Sequence, residues 1–287
     1  MLLLVAQSVK FIASSILCDV YYPPSTPSTK APILFFIYGG GFDTGERRIS
    51  PNTFGLVYSN VAAFFARRGY IVIIPDYRLV PSATFPQPSI DLREAIHWAL
   101  QNPHNLTLND SPPPDYDQLY MMGHSAGALH VFTLFAHPMT LPQTADDEIR
   151  RRVRGVILQS PPYDFSVIQE GWVDVETYKK FWGGLDAAKA NDPVHLLRRI
   201  PKEKMGGVPE MLMVEAEWEP GWLLDAGVVF AREVAEKLGV APVKIVARGH
   251  NHISHNWALS TGQGEEWAED VVEWIKKRQS ETAVRAT

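Results

Sequence analysis

The serine at position 125 lies in a pattern that suits it to nucleophilic catalysis. Residues 123–127 read Gly-His-Ser-Ala-Gly, a G-x-S-x-G pentapeptide. Apolar runs over 118–122 and 128–136 flank it, which predicts a buried strand, a tight turn and a helix. A serine on such a turn has an exposed hydroxyl, and small flanking residues let the backbone bend sharply. The bare pattern also arises by chance, so the interpretation depends on finding partners for Ser125.

A group of histidines provides candidates for the general base that a weakly nucleophilic serine needs. Residues 248–255 read Arg-Gly-His-Asn-His-Ile-Ser-His and follow an apolar run over 243–247. His252 is the preferred base, with His250 second and His255 third. Three neighbouring histidines also suggest zinc, but the chain has neither an H-E-x-x-H motif nor a pair of cysteines. We therefore predict no metal site here.

Acidic residues follow another apolar run, over 211–214, and one of them would orient the base. Three glutamates and an aspartate occur between positions 215 and 225. Glu219 precedes a Pro-Gly turn and is favoured, because an orienting carboxylate belongs on a loop at the end of a strand. Asp225 would begin the next helix, as an alternative acid or only as a charge at the helix N-terminus.

A glycine-rich turn provides candidates for the backbone donors that stabilise an oxyanion. Residues 38–42 read Tyr-Gly-Gly-Gly-Phe and directly follow an apolar run. Three glycines let a bare backbone approach the substrate, and the N–H group of Ala126, next after Ser125, would supply another donor. The phosphate-binding patterns G-x-x-x-x-G-K-[ST] and G-x-G-x-x-G are absent, which favours hydrolysis over nucleotide binding.

The elements that would position these residues alternate along the chain. Nearly continuous apolar strands between amphipathic helices are typical of a parallel sheet covered on both faces, and so of an α/β protein with one domain over 1–287. A hairpin or edge strands are expected over 8–22. Further strands are predicted over 33–38, 70–74, 118–122, 153–159, 211–216 and 243–247, and helices over 52–68, 89–101, 128–136, 223–238 and 264–278.

The segment over about 162–208 interrupts this alternation. It carries aromatic residues among scattered charges and no clear strand. Such an insertion would be either a cap or lid that shapes a pocket, or a helical excursion packed on the core.

Composition excludes several classes of protein. The 287 residues carry a net charge of −5, which disfavours binding to nucleic acid. Cys18 is the single cysteine, so no internal disulfide forms. No apolar run is long enough to span a membrane. The apolar residues 1–6 predict a first strand rather than a signal peptide, because no basic region precedes them. We expect a cytoplasmic enzyme.

Four segments, in order, resemble those of a known family. They are residues 38–42, residues 76–81 (Asp-Tyr-Arg-Leu-Val-Pro) followed by Phe-Pro at 85–86, residues 123–127, and residues 217–225 (Glu-Trp-Glu-Pro-Gly-Trp-Leu-Leu-Asp). They are similar to the HGGGF, DYRLAPE, nucleophile-elbow and E-x-D-P-L-x-D segments of the α/β-hydrolases. More narrowly, the chain resembles the hormone-sensitive-lipase-like esterases and their kynurenine formamidase relatives.

The resemblance implies an α/β-hydrolase fold, with a mostly parallel central sheet flanked by helices and a small cap. It implies the acid at Glu219, the base at His252 and the oxyanion donors at Gly40, Gly41 and Ala126. The chain departs from the family where Tyr38 replaces a histidine and Glu219 an aspartate. Two extra residues before Asp225 keep that residue open as the acid.

The leading functional hypothesis is a serine esterase acting on small carboxylic esters without a cofactor. Alternatives are an amidase or formamidase, a hydrolase of secondary metabolites, a lactonase, a thioesterase, or a receptor that binds a small ligand without catalysis. The expected partner is thus a small ester or amide, and the oligomeric state, a homodimer included, stays open. The expected pocket residues are Tyr38, Phe42, His124, Trp172, Phe181, Trp182 and Trp222.

Overall fold

The computed structural model describes residues 6–10, 16–24, 30–49, 53–141, 147–168 and 174–285. Within this part of the chain, eight strands form one sheet. The strands are β1 (Ala6–Lys10), β2 (Leu17–Tyr21), β3 (Ala31–Ile37), β4 (Ile71–Pro75), β5 (Pro114–His124), β6 (Val153–Gln159), β7 (Glu210–Trp218) and β8 (Val243–Asn251).

The sheet has the strand order β1-β2-β4-β3-β5-β6-β7-β8. Strand β2 pairs antiparallel with β1 and with β4, and every later pairing is parallel. Parallel pairing brings the carboxyl ends of β3, β5, β6, β7 and β8 to the same edge of the sheet. In such sheets ligands bind at that edge, so the segments that follow these strands form the region of interest.

Helices cover the sheet, as the alternating pattern predicts. They are α1 (Ser59–Ala66), α2 (Gln87–Gln101), α3 (Ala126–Ala136), α4 (Asp147–Arg152), α5 (Val175–Trp182), α6 (Leu185–Ala190), α7 (Pro193–Arg199), α8 (Gly221–Leu238), α9 (Ser254–Trp257) and α10 (Glu266–Arg285). Short 3₁₀ helices span Pro103–Leu106 and Lys202–Gly207.

The central strands are buried almost throughout because they carry long apolar side chains on both faces. All residues of β4 are buried, as are all but one residue of β3 and of β6. A strand packed on both faces buries alternate residues against opposite helix layers. This arrangement confirms the prediction of an α/β fold with a mostly parallel sheet flanked by helices.

The segment that interrupts the alternation forms helices between β6 and β7. Its described part contains α5, α6, α7 and the second 3₁₀ helix. The Thr177 hydroxyl of α5 donates a hydrogen bond of 2.9 Å to Asp43, in the turn that follows β3. The insertion thus contacts the glycine-rich turn, and its action as a cap stays a prediction.

Candidate active site

Ser125 lies on a sharp turn between β5 and α3. Its backbone angles are φ 52° and ψ −122°, a conformation that few residues other than glycine adopt. The flanking glycines make this turn sterically allowed: a Cβ at Gly127 would overlap the carbonyl oxygens of Ile37 and Tyr38, and one at Gly123 would lie 2.5 Å from the Cα of Ala128. The spacing of the G-x-S-x-G pattern therefore follows from close contact between α3, β3 and β5.

The preferred base and acid contact each other at the ends of the last two strands. His252 follows β8, Glu219 follows β7, and the His252 Nδ1 lies 2.8 Å from the Glu219 Oε2. The Glu219 side chain is inaccessible to solvent, whereas that of His252 is 23% exposed. A carboxylate accepts hydrogen bonds only, so Nδ1 carries the proton and Nε2 is free to accept one.

Glu219 is held as a carboxylate. Burial by itself would raise the pKa of its carboxyl, but the hydrogen bond and charge of His252, together with the Ser160 hydroxyl, bring that pKa below its ordinary value. A permanently charged acceptor fixes the orientation of the imidazole and stabilises the imidazolium that forms when the base takes a proton.

The other candidates for the acid and the base have different surroundings. Asp225 is exposed on α8. The His250 Nε2 bonds the Gly264 carbonyl at 2.8 Å, and the buried His255 directs its Nδ1 to the Asn251 carbonyl at 3.2 Å. Both histidines therefore stabilise the backbone of the loop after β8.

The glycine-rich turn presents its backbone close to Ser125. Gly40 and Gly41 have φ values of 145° and 64°, and the Gly40 carbonyl accepts hydrogen bonds from the Thr44 N–H at 3.0 Å and the Thr44 hydroxyl at 2.6 Å. The Ser125 N–H donates to the Gln159 carbonyl at 2.8 Å. The next N–H, that of Ala126, begins α3, where N–H groups have no acceptor within the helix.

A cavity of about 510 Å³ joins these groups. Ser125 and His252 both line it, together with the three glycines of the turn. The remaining lining residues are Thr44, Gly45, Glu46, Ile49, Tyr58, His124, Ile253 and Trp257.

Comparison with known proteins agrees with the resemblance to α/β-hydrolase esterases that the four sequence segments indicate. The family model described as BD-FAE matches residues 18–197, more than half of the chain. The chain belongs to the BD-FAE family. This is a family of α/β-hydrolase esterases, and its match covers the glycine-rich turn, the Ser125 turn and most of the helical insertion.

Relatives and solved structures agree with the BD-FAE assignment. The chain is 34% identical over 86 residues to esterase LipC of Mycobacterium tuberculosis, covering 30% of this chain and 20% of LipC. It is 28% identical over 155 residues to the probable carboxylic ester hydrolase LipM of the same organism, covering 53% of this chain and 33% of LipM. The matches thus span a third or less of these two relatives.

The fold is shared with solved esterase structures of low sequence identity. Esterase B from Lactobacillus Rhamnosis (HN001) superimposes with a TM-score of 0.76 at 14% identity, covering 99% of this chain and 88% of that chain. A fungal esterase from Rhizomucor miehei gives a TM-score of 0.72 at 20% identity, covering 98% and 85%. These structures support the α/β-hydrolase fold of this BD-FAE member.

Three of the six Phe, Tyr and Trp residues predicted for the pocket pack against one another. Phe42 stacks on Phe181 with ring centroids 5.0 Å apart, and the Trp182 ring meets Phe42 edge-on at 4.7 Å. All three are buried and, in the part of the chain that the structure describes, are absent from the cavity lining, as is the buried Trp222. Trp172 lies outside the described residues.

Tyr38 is buried and anchors the glycine-rich turn. Its hydroxyl donates to Asp76 Oδ1 at 3.1 Å, and Asp76 pairs with Arg47, which also pairs with the buried Asp19 of β2 at 2.6 Å. The Tyr77 hydroxyl donates to the Tyr38 carbonyl at 2.8 Å. The start of the turn is thus held by both its side chain and its backbone.

Several cavity residues were not found by sequence reasoning. Of the predicted pocket residues, His124 lines the cavity. Glu46, Tyr58, Ile253 and Trp257 also line it, although they were not predicted to do so. Ile253 and Trp257 lie one and five positions after the preferred base, where a short helix begins. The start of that helix was the only signal by which sequence analysis could have found these two residues.

One group of potential metal ligands occurs in the described residues, and none of its members lines the cavity at Ser125. Ligand atoms of Asp164, Asp192 and His195 lie within 4.8 Å of one another. Asp192 caps α7 by accepting the His195 N–H at 2.8 Å, and it also accepts the Phe165 N–H at 3.0 Å. These contacts explain the cluster as a helix cap.

The described helices include none with the length and apolarity needed to cross a membrane.

We expect the fold to lose stability in mild acid because several histidines, His130 and His255 among them, are buried without charge. Burial lowers the pKa of His130 to about 3 and that of His255 to about 4, whereas an unfolded histidine titrates near ~6.5. Below that pH the unfolded chain binds protons that the folded chain does not. The free energy of unfolding should then fall with pH down to about 4, by at most ~1.4 kcal/mol per histidine and pH unit.

Urea denaturation at pH 7.5 and pH 5 measures this effect. His130 contacts the rings of Phe42, Tyr77 and Phe181, so His130→Phe keeps an aromatic ring there and removes one titrating group. The variant should lose less stability between the two pH values than the wild type. An equal loss of unfolding free energy in both proteins would contradict the lowered pKa of His130.

Proposed function

We propose that the protein is a serine hydrolase that cleaves small carboxylic esters through an acyl-enzyme. The observation that carries this proposal is the contact of 2.8 Å between the His252 Nδ1 and the buried carboxylate of Glu219, beside a cavity that Ser125 also lines. A nucleophile, a base and an orienting acid are the three groups that acyl transfer needs. Membership of an esterase family supports the same reaction.

In the first half of the reaction the Ser125 Oγ attacks the ester carbonyl carbon. His252 accepts the hydroxyl proton at Nε2, because its Nδ1 proton is held by Glu219. The carbonyl oxygen becomes an oxyanion, which the N–H groups of Ala126, Gly40 and Gly41 stabilise. When the tetrahedral intermediate collapses, the C–O bond breaks and the His252 imidazolium returns the proton to the departing alkoxide.

In the second half, water hydrolyses the acyl-enzyme. His252 takes a proton from the water as its oxygen attacks the acyl carbon, and the same N–H groups stabilise the second oxyanion. Collapse releases the carboxylic acid, and the proton returns to the Ser125 Oγ. The free enzyme is thereby restored without a metal or a cofactor taking part in any step.

The cavity suits a short acyl group. Its volume of about 510 Å³ lies in the usual range of small-molecule sites, roughly 300–1,000 Å³. Tyr58, Ile253 and Trp257 give it apolar walls, against which a short acyl group would pack.

A substrate comparison with covalent labelling tests the proposal. We expect a fluorophosphonate probe to label Ser125 at one equivalent and short p-nitrophenyl esters to be hydrolysed faster than long ones. Faster turnover of N-formylkynurenine than of any ester would replace the proposed esterase activity with a formamidase activity, and absence of labelling would contradict serine catalysis.

A further inference from the structure

His124, which precedes Ser125, lies where three parts of the candidate site meet. It is the last residue of β5 and its side chain is buried. Its Nε2 lies 2.8 Å from the backbone carbonyl oxygen of His252. Since a carbonyl only accepts, Nε2 must carry the proton and donate. The residue beside the nucleophile is thus bonded to the backbone of the base.

The glycine-rich turn packs against the same imidazole. A Cβ at Gly39 would lie 3.1 Å from the His124 Nδ1 and 3.0 Å from the Ser125 Cβ. The ring of His124 also lies beside that of His252, with centroids 4.8 Å apart. One buried side chain therefore contacts the turn that carries the oxyanion donors, the serine turn and the loop of the base.

The backbone of His252 itself is bonded by His124, whereas the loop's other long-range backbone and side-chain bonds lie further along it, at Asn256, which donates to Gln159 Oε1 at 3.1 Å and accepts from the Asn60 side chain at 2.7 Å. The Asn251 side chain accepts the N–H groups of Ile253 and Ser254 at 3.0 and 2.9 Å, which shapes the turn but does not tie it to the sheet. Glu219 fixes the His252 ring, whereas His124 fixes its backbone carbonyl. Together they define where Nε2 of the base can lie.

His124 also stays uncharged. Burial, followed by the neighbouring charges of His252 and His255, lowers its pKa well below the ordinary value. Its Nδ1 is buried and has no hydrogen-bond partner among the described residues, so a second ring proton would have no acceptor. A neutral ring keeps the single donor aimed at the His252 carbonyl.

We propose that His124 is a positioning residue that holds the backbone of His252, and with it the base, in reach of Ser125. This inference rests on the proposed function, because it assumes that His252 is the base. A displacement of about 1 Å in a catalytic group commonly costs around 10²-fold in rate. Loss of the donor should therefore reduce turnover more than substrate binding.

Two substitutions at this position separate the hydrogen bond from the volume of the side chain. His124→Phe keeps a ring and loses the donor, and we expect kcat to fall about 10–100-fold with KM changed less than about 3-fold. His124→Gln places an amide N–H near the position of Nε2 and should restore kcat to within about 5-fold of the wild type. His104→Phe, at an exposed histidine, is the matched control and should be fully active.

Measurements on the folded fraction exclude a purely structural explanation. The rate of fluorophosphonate labelling per folded molecule should fall in His124→Phe, and hydrogen exchange should increase over residues 249–254. Unchanged kcat in His124→Phe, or no recovery in His124→Gln, would overturn the inference while an inactive Ser125→Ala still supported the proposed function. Full activity in Ser125→Ala would overturn both.

Discussion

Ser125→Ala should abolish ester hydrolysis while leaving the fold intact. We expect kcat to fall by about 10⁴–10⁶-fold, the range found when the nucleophile of a serine hydrolase is removed. No acyl-enzyme forms without Oγ, so the remaining activity would come only from binding and oxyanion stabilisation. The change removes one oxygen from a residue whose backbone is held by the Ser125 N–H bond to Gln159. Unfolding free energy should therefore change by less than about 1 kcal/mol.

Steady-state hydrolysis of p-nitrophenyl acetate measures this prediction, with thermal melting followed by circular dichroism as the check on folding. Ser280→Ala is the matched control, because Ser280 is exposed on α10, far along the chain from the site. It should keep the wild-type kcat. A Ser125→Ala protein that melts normally and hydrolyses the ester at even a tenth of the wild-type rate would rule out Ser125 as the nucleophile.

Glu219→Gln should produce the second largest loss, about 10²–10⁴-fold in kcat. The amide is nearly the same size as the carboxylate but has no charge, and its NH₂ group would offer a donor where the His252 Nδ1–H needs an acceptor. The imidazole would then favour the tautomer with its proton at Nε2, which cannot accept the Ser125 proton. A comparable change of the triad acid in another serine hydrolase lowers kcat by about 10⁴.

Two controls decide which carboxylate orients the base. Asp225→Asn removes the alternative acid, which is exposed on α8, and should keep kcat within about 3-fold. Glu217→Gln makes the same substitution two residues before Glu219; its carboxylate accepts the Gly249 N–H at 2.7 Å, and the amide oxygen of Gln can replace it. If Asp225→Asn lost more activity than Glu219→Gln, the acid would have been assigned to the wrong residue.

The serine turn could be predicted because its geometry requires particular residues. Only glycine fits at Gly123 and Gly127, where a Cβ would overlap the neighbouring backbone, so the constraint is visible in the sequence. The contact between His252 and Glu219 could also be predicted from the sequence, because each residue follows a predicted strand. Strands end at the same edge of a parallel sheet, and this places their following residues together.

The extent of β8 and the walls of the cavity could not be predicted in the same way. The apolar pattern ends at Ala247, yet the strand continues to Asn251, which pairs with Trp218 after a register shift. That pairing depends on a neighbouring strand rather than on local sequence. Likewise, aromatic side chains look alike whether they line a cavity or fill a core, and Phe42 and Trp182 do the latter.

The anchoring of Tyr38 has a consequence for the evolution of substrate preference. The groups that hold the start of the glycine-rich turn, Asp76 and Arg47, are not among the described residues that line the cavity. Ile253 and Trp257 line it and are each about 45% exposed. Side chains at these two positions can therefore be exchanged without altering the support of the turn. Under the proposed function, selection for new esters can proceed there while the groups proposed to cleave the bond are retained.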